Sequence, residues 1–86
     1  MVEDKLKCKI LFFAQAAEAV GERERTVSIE SGSTIADVFE HIANTCPALV
    51  LLQQTCAFAI DEKLVQADTE VTDGCTVAVL PPVSGG

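Results

Sequence analysis

The stretch STIADVFEHIA, Ser33–Ala43, decides how this chain is read. Ile35, Val38, Phe39, Ile42 and Ala43 recur at three- and four-residue spacing, which lines them along one stripe of a helix. Ser33 or Thr34 is placed to cap that helix. Asp37 falls in its first turn, where the macrodipole favours a carboxylate. Pro47 limits it at the far end. A helix with one apolar stripe has to bury it against another layer, and the flanking sequence supplies strands.

Upstream, LKCKILFFA (Leu6–Ala14) reads as a strand, with Cys8, Ile10 and Phe12 on one face and Lys9, Leu11 and Phe13 on the other. QAAEAVG predicts a short helix stopped by Gly21. RERTVSIE (Arg23–Glu30) alternates, with Val27 and Ile29 inward and Arg25, Thr26, Ser28 and Glu30 mostly outward. The opening is therefore a hairpin with a helical turn in its loop. Downstream, ALVLLQQ is read as a second helical turn. CAFAI (Cys56–Ile60) is a strand, DEK a tight turn and LVQ a short strand. DTEVTDG is a loop turning at Asp73-Gly74, and CTVAVLP (Cys75–Pro81) is the last strand. This order predicts an α+β fold: a mixed sheet with one main helix across one face. The helix covers one side only. Leu11, Phe13, Thr76, Ala78 and Leu80 are left pointing away, and the apolar residues among them are ordinary singly exposed side chains, a patch covered by the chain end, or a partner surface.

Composition narrows the functions. The 86 residues make a single small domain, and with 49% hydrophobic residues but only four Phe, no Trp and no Tyr, aliphatic side chains must form its core. A net charge of −7 argues against nucleic acid, which needs clustered Lys and Arg. No run approaches the ~20 apolar residues of a membrane span. Lys5–Lys9 followed by ILFFAQAA imitates a secretory signal, but Glu3 and Asp4 spoil its basic segment. Cys8, Cys46, Cys56 and Cys75 have no C-x-x-C spacing and His41 has no thiol neighbour, so no metal site is expected. Cys8, Cys56 and Cys75 lie in apolar runs as small hydrophobes, which suggests a reducing cytosol. No triad, phosphate loop or carboxylate pair marks an independent enzyme, and Asp61-Glu62 reads as a solvated turn.

The ending LPPVSGG (Leu80–Gly86) remains. Pro81 and Pro82 lack donors and stop the sheet. About six residues at ~3.3 Å each reach roughly 20 Å beyond it. The division expected is a domain at 1–80 and an extended tail at 81–86. Gly85 and Gly86 carry no Cβ and fit a channel too narrow for other residues. The group at the tip is the α-carboxylate of Gly86. A bare carboxylate is a poor electrophile; activation as an acyl-adenylate by ATP, in a separate enzyme, would make its carbonyl open to attack.

Three stretches, ILFFAQAAEAVG, VTDG (Val71–Gly74) and VAVLPPVSGG, resemble the small, sulfur-carrying subunits of molybdopterin synthase, which are ubiquitin-like β-grasp proteins. The likeness covers nearly the whole chain. It departs at Leu80, where a Phe is common, at Cys75-Thr76, which replaces an acidic pair, and at Asp61, where Asn is frequent. The resemblance implies that Gly86 is adenylated by an E1-like activating enzyme and converted to a thiocarboxylate. It would then enter the large catalytic subunit, in a heterotetramer of two small and two large subunits, and donate sulfur to cyclic pyranopterin monophosphate. No permanently bound cofactor is implied, only ATP at the activating enzyme. Ser84 and Gly85 would thread the channel, while Phe13, Leu64 and Leu80 would anchor the partner. A carrier for thiamine or tRNA thiolation, a ubiquitin-like protein modifier and an interaction module with an inert tail are the competing readings.

Overall fold

A computed structural model describes residues 5–52 and 55–81. Along the chain run β1 (Lys5–Phe12), α1 (Ala14–Val20), β2 (Glu24–Glu30), α2 (Ile35–Ala43), a 3-10 helix (Pro47–Leu52), β3 (Ala57–Ile60), β4 (Lys63–Val65) and β5 (Thr76–Leu80). The strands form one mixed sheet in the order β2-β1-β5-β3-β4, with β1 and β5 parallel at its centre and the other pairs antiparallel. The helix α2 packs on one face, as its stripe requires.

Thr34, rather than Ser33, caps α2 in a capping box. Its backbone N–H donates to Asp37 Oδ2 at 2.9 Å, and the Asp37 N–H donates to Thr34 Oγ1 at 3.3 Å. The next donors, Ile35 N–H and Ala36 N–H, are satisfied by the carbonyls of Thr69 and Ala67, both at 2.9 Å. The loop after β4 is thereby stitched to the helix start, and it buries Val71 to 3% exposure. At the end of α1, Gly21 takes φ 87 and its N–H reaches the Ala17 carbonyl at 2.8 Å, so a residue without Cβ belongs there.

The core joins Ile10 and Phe12 of β1, Val27 and Ile29 of β2, the α2 stripe, Phe58 of β3 and Val77 and Val79 of β5. Phe39 and Phe58 meet edge to face with ring centroids 5.6 Å apart. Leu49 is fully buried from the 3-10 helix, and Ala16 from α1. These two contributions escape a periodicity reading, because each is a single buried residue in a short element.

Several expected boundaries move. β1 stops at Phe12, because Ala14 turns left-handed (φ 50) and opens α1. β3 begins at Ala57, one residue later than expected. The turn after it needs only Asp61 and Glu62, so β4 starts at Lys63 and ends at Val65. β5 excludes Cys75, whose N–H bonds to the Thr72 carbonyl, and Pro81, which has no N–H to give. Arg25 shares a face with Val27 and Ile29 instead of pointing out, and the strict alternation of β2 demands this. At the hairpin end it lies half-buried and pairs with Glu22 at 2.6 Å. The tail assigned to 81–86 lies outside the described residues beyond Pro81.

Candidate functional site

The register of the sheet builds the site. On the face away from α2, Leu11 stands opposite Ala78, Ala78 opposite Ala59, and Ala59 opposite Leu64, forming one row across four strands. Towards the tail, Leu80 stands opposite Ala57, and Phe13 follows the last residue of β1 at the same level. In the other direction, Lys9 stands opposite Thr76. The Thr76 N–H donates to Asp61 Oδ1 at 3.1 Å, and the Asp61 N–H reaches the Thr76 carbonyl at 2.9 Å.

Small residues in the middle and large ones around them make this face concave. Ala59 and Ala78 form the floor of a hollow of about 530 Å³, walled by Leu11, Phe13, Leu64 and Leu80 and rimmed by Asp61, Glu62 and Thr76. Ala59 is buried to 5% though it belongs to no core layer. Phe13 (45% exposed) and Leu64 (74% exposed) stand out of the wall. Phe13 also borders a second cleft of about 720 Å³ against α1, which carries Glu18, Glu22 and Glu24 at its edge. Exposed apolar walls of this kind, set beside the last strand, mark a surface built to be covered.

The three anchors expected from the sequence, Phe13, Leu64 and Leu80, therefore line one hollow. Ser84, Gly85 and Gly86 lie outside the described residues. The floor residue Ala59 and the acidic rim were missed. The alternation in AFAI could have revealed Ala59, since Phe58 faces the core and its neighbours must face away.

The thiols offer no second site. Cys8 and Cys75 are buried with their Sγ atoms 3.6 Å apart, and Cys8 Sγ lies 3.8 Å from the Thr72 carbonyl. Burial, then the hydrogen bond and charge of Cys75 and the charge of Asp73, pushes the Cys8 thiol up to about 12. Burial also raises Cys56. A protonated thiol is a weak nucleophile and a weak metal ligand, so Cys8 serves packing. Among the described residues no group of three or more His, Cys, Asp or Glu side chains could hold a metal ion, and no helix is long and apolar enough to cross a membrane.

A five-stranded mixed sheet, with its parallel central pair, one capped helix across one face and the last strand leading into the tail, defines a ubiquitin-like β-grasp protein. Solved structures agree on that fold. A Haloferax volcanii protein solved in solution matches with a TM-score of 0.88 at 22% identity, covering all of this chain and 92% of that one. Caldiarchaeum subterraneum ubiquitin matches with a TM-score of 0.63 at 16% identity, over 95% of this chain and 99% of that one. A complex of subunits 1 and 2 of the molybdopterin-converting factor from Helicobacter pylori contains a match with a TM-score of 0.66 at 22% identity, over 94% and 100%. Sequence relatives are nearer. The molybdopterin synthase sulfur carrier subunit of Escherichia coli is 38% identical over 80 residues, covering 91% of this chain and 98% of the relative. That of Chlamydomonas reinhardtii is 34% identical over 83 residues, covering 94% and 100%. Residues 10–86 match the ThiS family, and this chain belongs to it.

Proposed function

We propose that this chain is the sulfur carrier subunit of a molybdopterin synthase and that it works through the α-carboxylate of Gly86. The observation that carries this reading is the family match, which extends to Gly86 itself and includes relatives named as that subunit. The H. pylori complex supports a larger partner subunit, and the hollow beside β5 is the surface that fits one. In this reading the complete synthase pairs two small with two large subunits.

The chemistry follows from a carboxylate that must first become an electrophile. An E1-like enzyme transfers AMP from ATP to the Gly86 carboxylate and releases pyrophosphate. A sulfide-level donor attacks the glycyl carbonyl, AMP leaves, and a thiocarboxylate remains. In the large subunit the sulfur bonds to a carbon of cyclic pyranopterin monophosphate and displaces the oxygen substituent held there; water then attacks the glycyl carbonyl, its bond to sulfur breaks, and the carboxylate is restored. This chain contributes the unhindered carbonyl, the slender tail and the docking face. Its own side chains catalyse nothing. Four unpaired thiols, two of them in the core, fit a reducing compartment such as the cytosol.

Reconstitution with the large subunit, the activating enzyme, ATP and a sulfur donor tests the assignment. Deleting Gly86 should abolish sulfur transfer and leave association intact. Leu80→Asp should weaken association about tenfold or more, the cost of putting a charge on an anchor. Sulfur transfer that survives loss of Gly86 overturns the reading.

A further inference from the structure

The outward face has a second half. Lys5, Lys7 and Lys9 alternate with buried residues along β1, so all three ammonium groups leave the sheet on the side of the hollow, spaced about 7 Å apart. They are half of the six basic residues in a chain with thirteen acidic ones. Their acidic neighbours are Glu30, opposite Lys5, Glu24, one same-face position along β2 from the partner of Lys9, and Asp73, which accepts the Lys7 backbone N–H at 2.9 Å. Yet the ion pair among the described residues is Arg25–Glu22, on neither of these. In the row that borders the hollow, Lys9 on β1 and Asp61 beyond β5 sit on opposite sides of Thr76. The face thus carries a basic row along β1, with Glu24 and Glu30 at the two ends of the neighbouring β2, an apolar middle and an acidic far flank.

Size requires more than the hollow. The hollow spans four strands and two residue rows, a floor of roughly 200 Å². A stable interface takes about 800 Å² from each partner, so contact has to spread beyond the hollow. The outward face of β1 and β2 adjoins it on one side, and the cleft against α1 adjoins it at Phe13.

We propose that Lys5, Lys7 and Lys9 form the steering half of the docking face and seat an acidic strip of the large subunit beside the apolar hollow. This inference rests on the carrier reading and names the chemistry of its partner. A protein of net charge −7 would by itself favour a basic surface everywhere. The lysine row reverses that preference at one flank, which fixes the orientation in which the two subunits meet. Fixed charges of this kind act mainly on the rate of encounter and on register.

Association rates of the full chain with its large subunit, at low and high salt, test the proposal. Lys7→Gln with Lys9→Gln is compared with Asn44→Asp combined with Ala48→Glu, exposed positions at and just beyond the end of α2 that change the net charge equally. Circular dichroism and urea midpoints confirm that both variants stay folded. The lysine variant should associate about 3- to 10-fold more slowly than the control at low salt, with the difference vanishing at high salt. Equal on-rates for the two variants, with the wild type binding normally, overturn the lysine row. A wild type that does not bind the large subunit overturns the carrier reading, and the lysine proposal falls with it.

Discussion

Glu62 holds a backbone conformation that its side chain opposes. Asp61 and Glu62 are the two central residues of the β3–β4 turn, with φ 49 and 73, the combination that favours Asn-Gly. Asp61 suits its place, since its carboxylate also accepts the Thr76 N–H. Glu62 has no such compensation among the described residues, so Glu62→Gly should raise stability by about 0.5–1 kcal/mol, read from the urea midpoint. An unchanged or lower midpoint contradicts the strain. The letters DEK announced a tight turn, but nothing in them announced two left-handed residues, because neighbouring strand register imposes that geometry. Cys8 yields a second expectation. Its thiol titrates near 12 in the fold against 9.0 for an ordinary cysteine, so the unfolded chain ionises first. The stability contributed is whole below about pH 9 and is lost as pH rises towards 12. Cys8→Val should flatten the alkaline limb of the stability profile, and a limb of unchanged slope would mean that other groups set it.

Among the elements, α2 was the most legible, for its stripe, cap and stop are all local signals. Phe39 sits at the centre of that stripe, 2% exposed and in edge contact with Phe58. Phe39→Ala should cost about 3–5 kcal/mol, through lost burial and the cavity left behind. A loss below about 1 kcal/mol in denaturant titration would mean that the helix does not depend on this contact. Elements of three to six residues were harder to read. The 3-10 helix buries Leu49 and packs Leu52 against the core, yet its six letters show no period long enough to separate a helical turn from a loop. The letters DTEVTDG around Val71 announce only a loop with a turn at Asp73-Gly74. That loop closes the start of α2, a role written in backbone hydrogen bonds that residue types do not display.

For the whole molecule, the pairing of strands distant in sequence turns a pattern into a site. Leu11, Ala59, Leu64 and Ala78 come from four strands and meet in one row only because β5 inserts between β1 and β3. Alternation alone places Phe13, Leu80 and Ala59 on the outward face, while the register is what sets Ala59 between Ala78 and Leu64. The proposal for Gly86 rests on different ground: two residues without side chains after two prolines, in a chain whose relatives are named as sulfur carriers. The account stands or falls on the carboxyl group of Gly86. Incubation with the activating enzyme, ATP and a sulfur donor, followed by intact-mass measurement and fragmentation, tests it most directly. The account predicts a gain equal to the difference between one sulfur and one oxygen, confined to Gly86. An unchanged mass, while the same enzyme converts an established carrier, contradicts it, as does Gly86 joined to lysine side chains of other proteins.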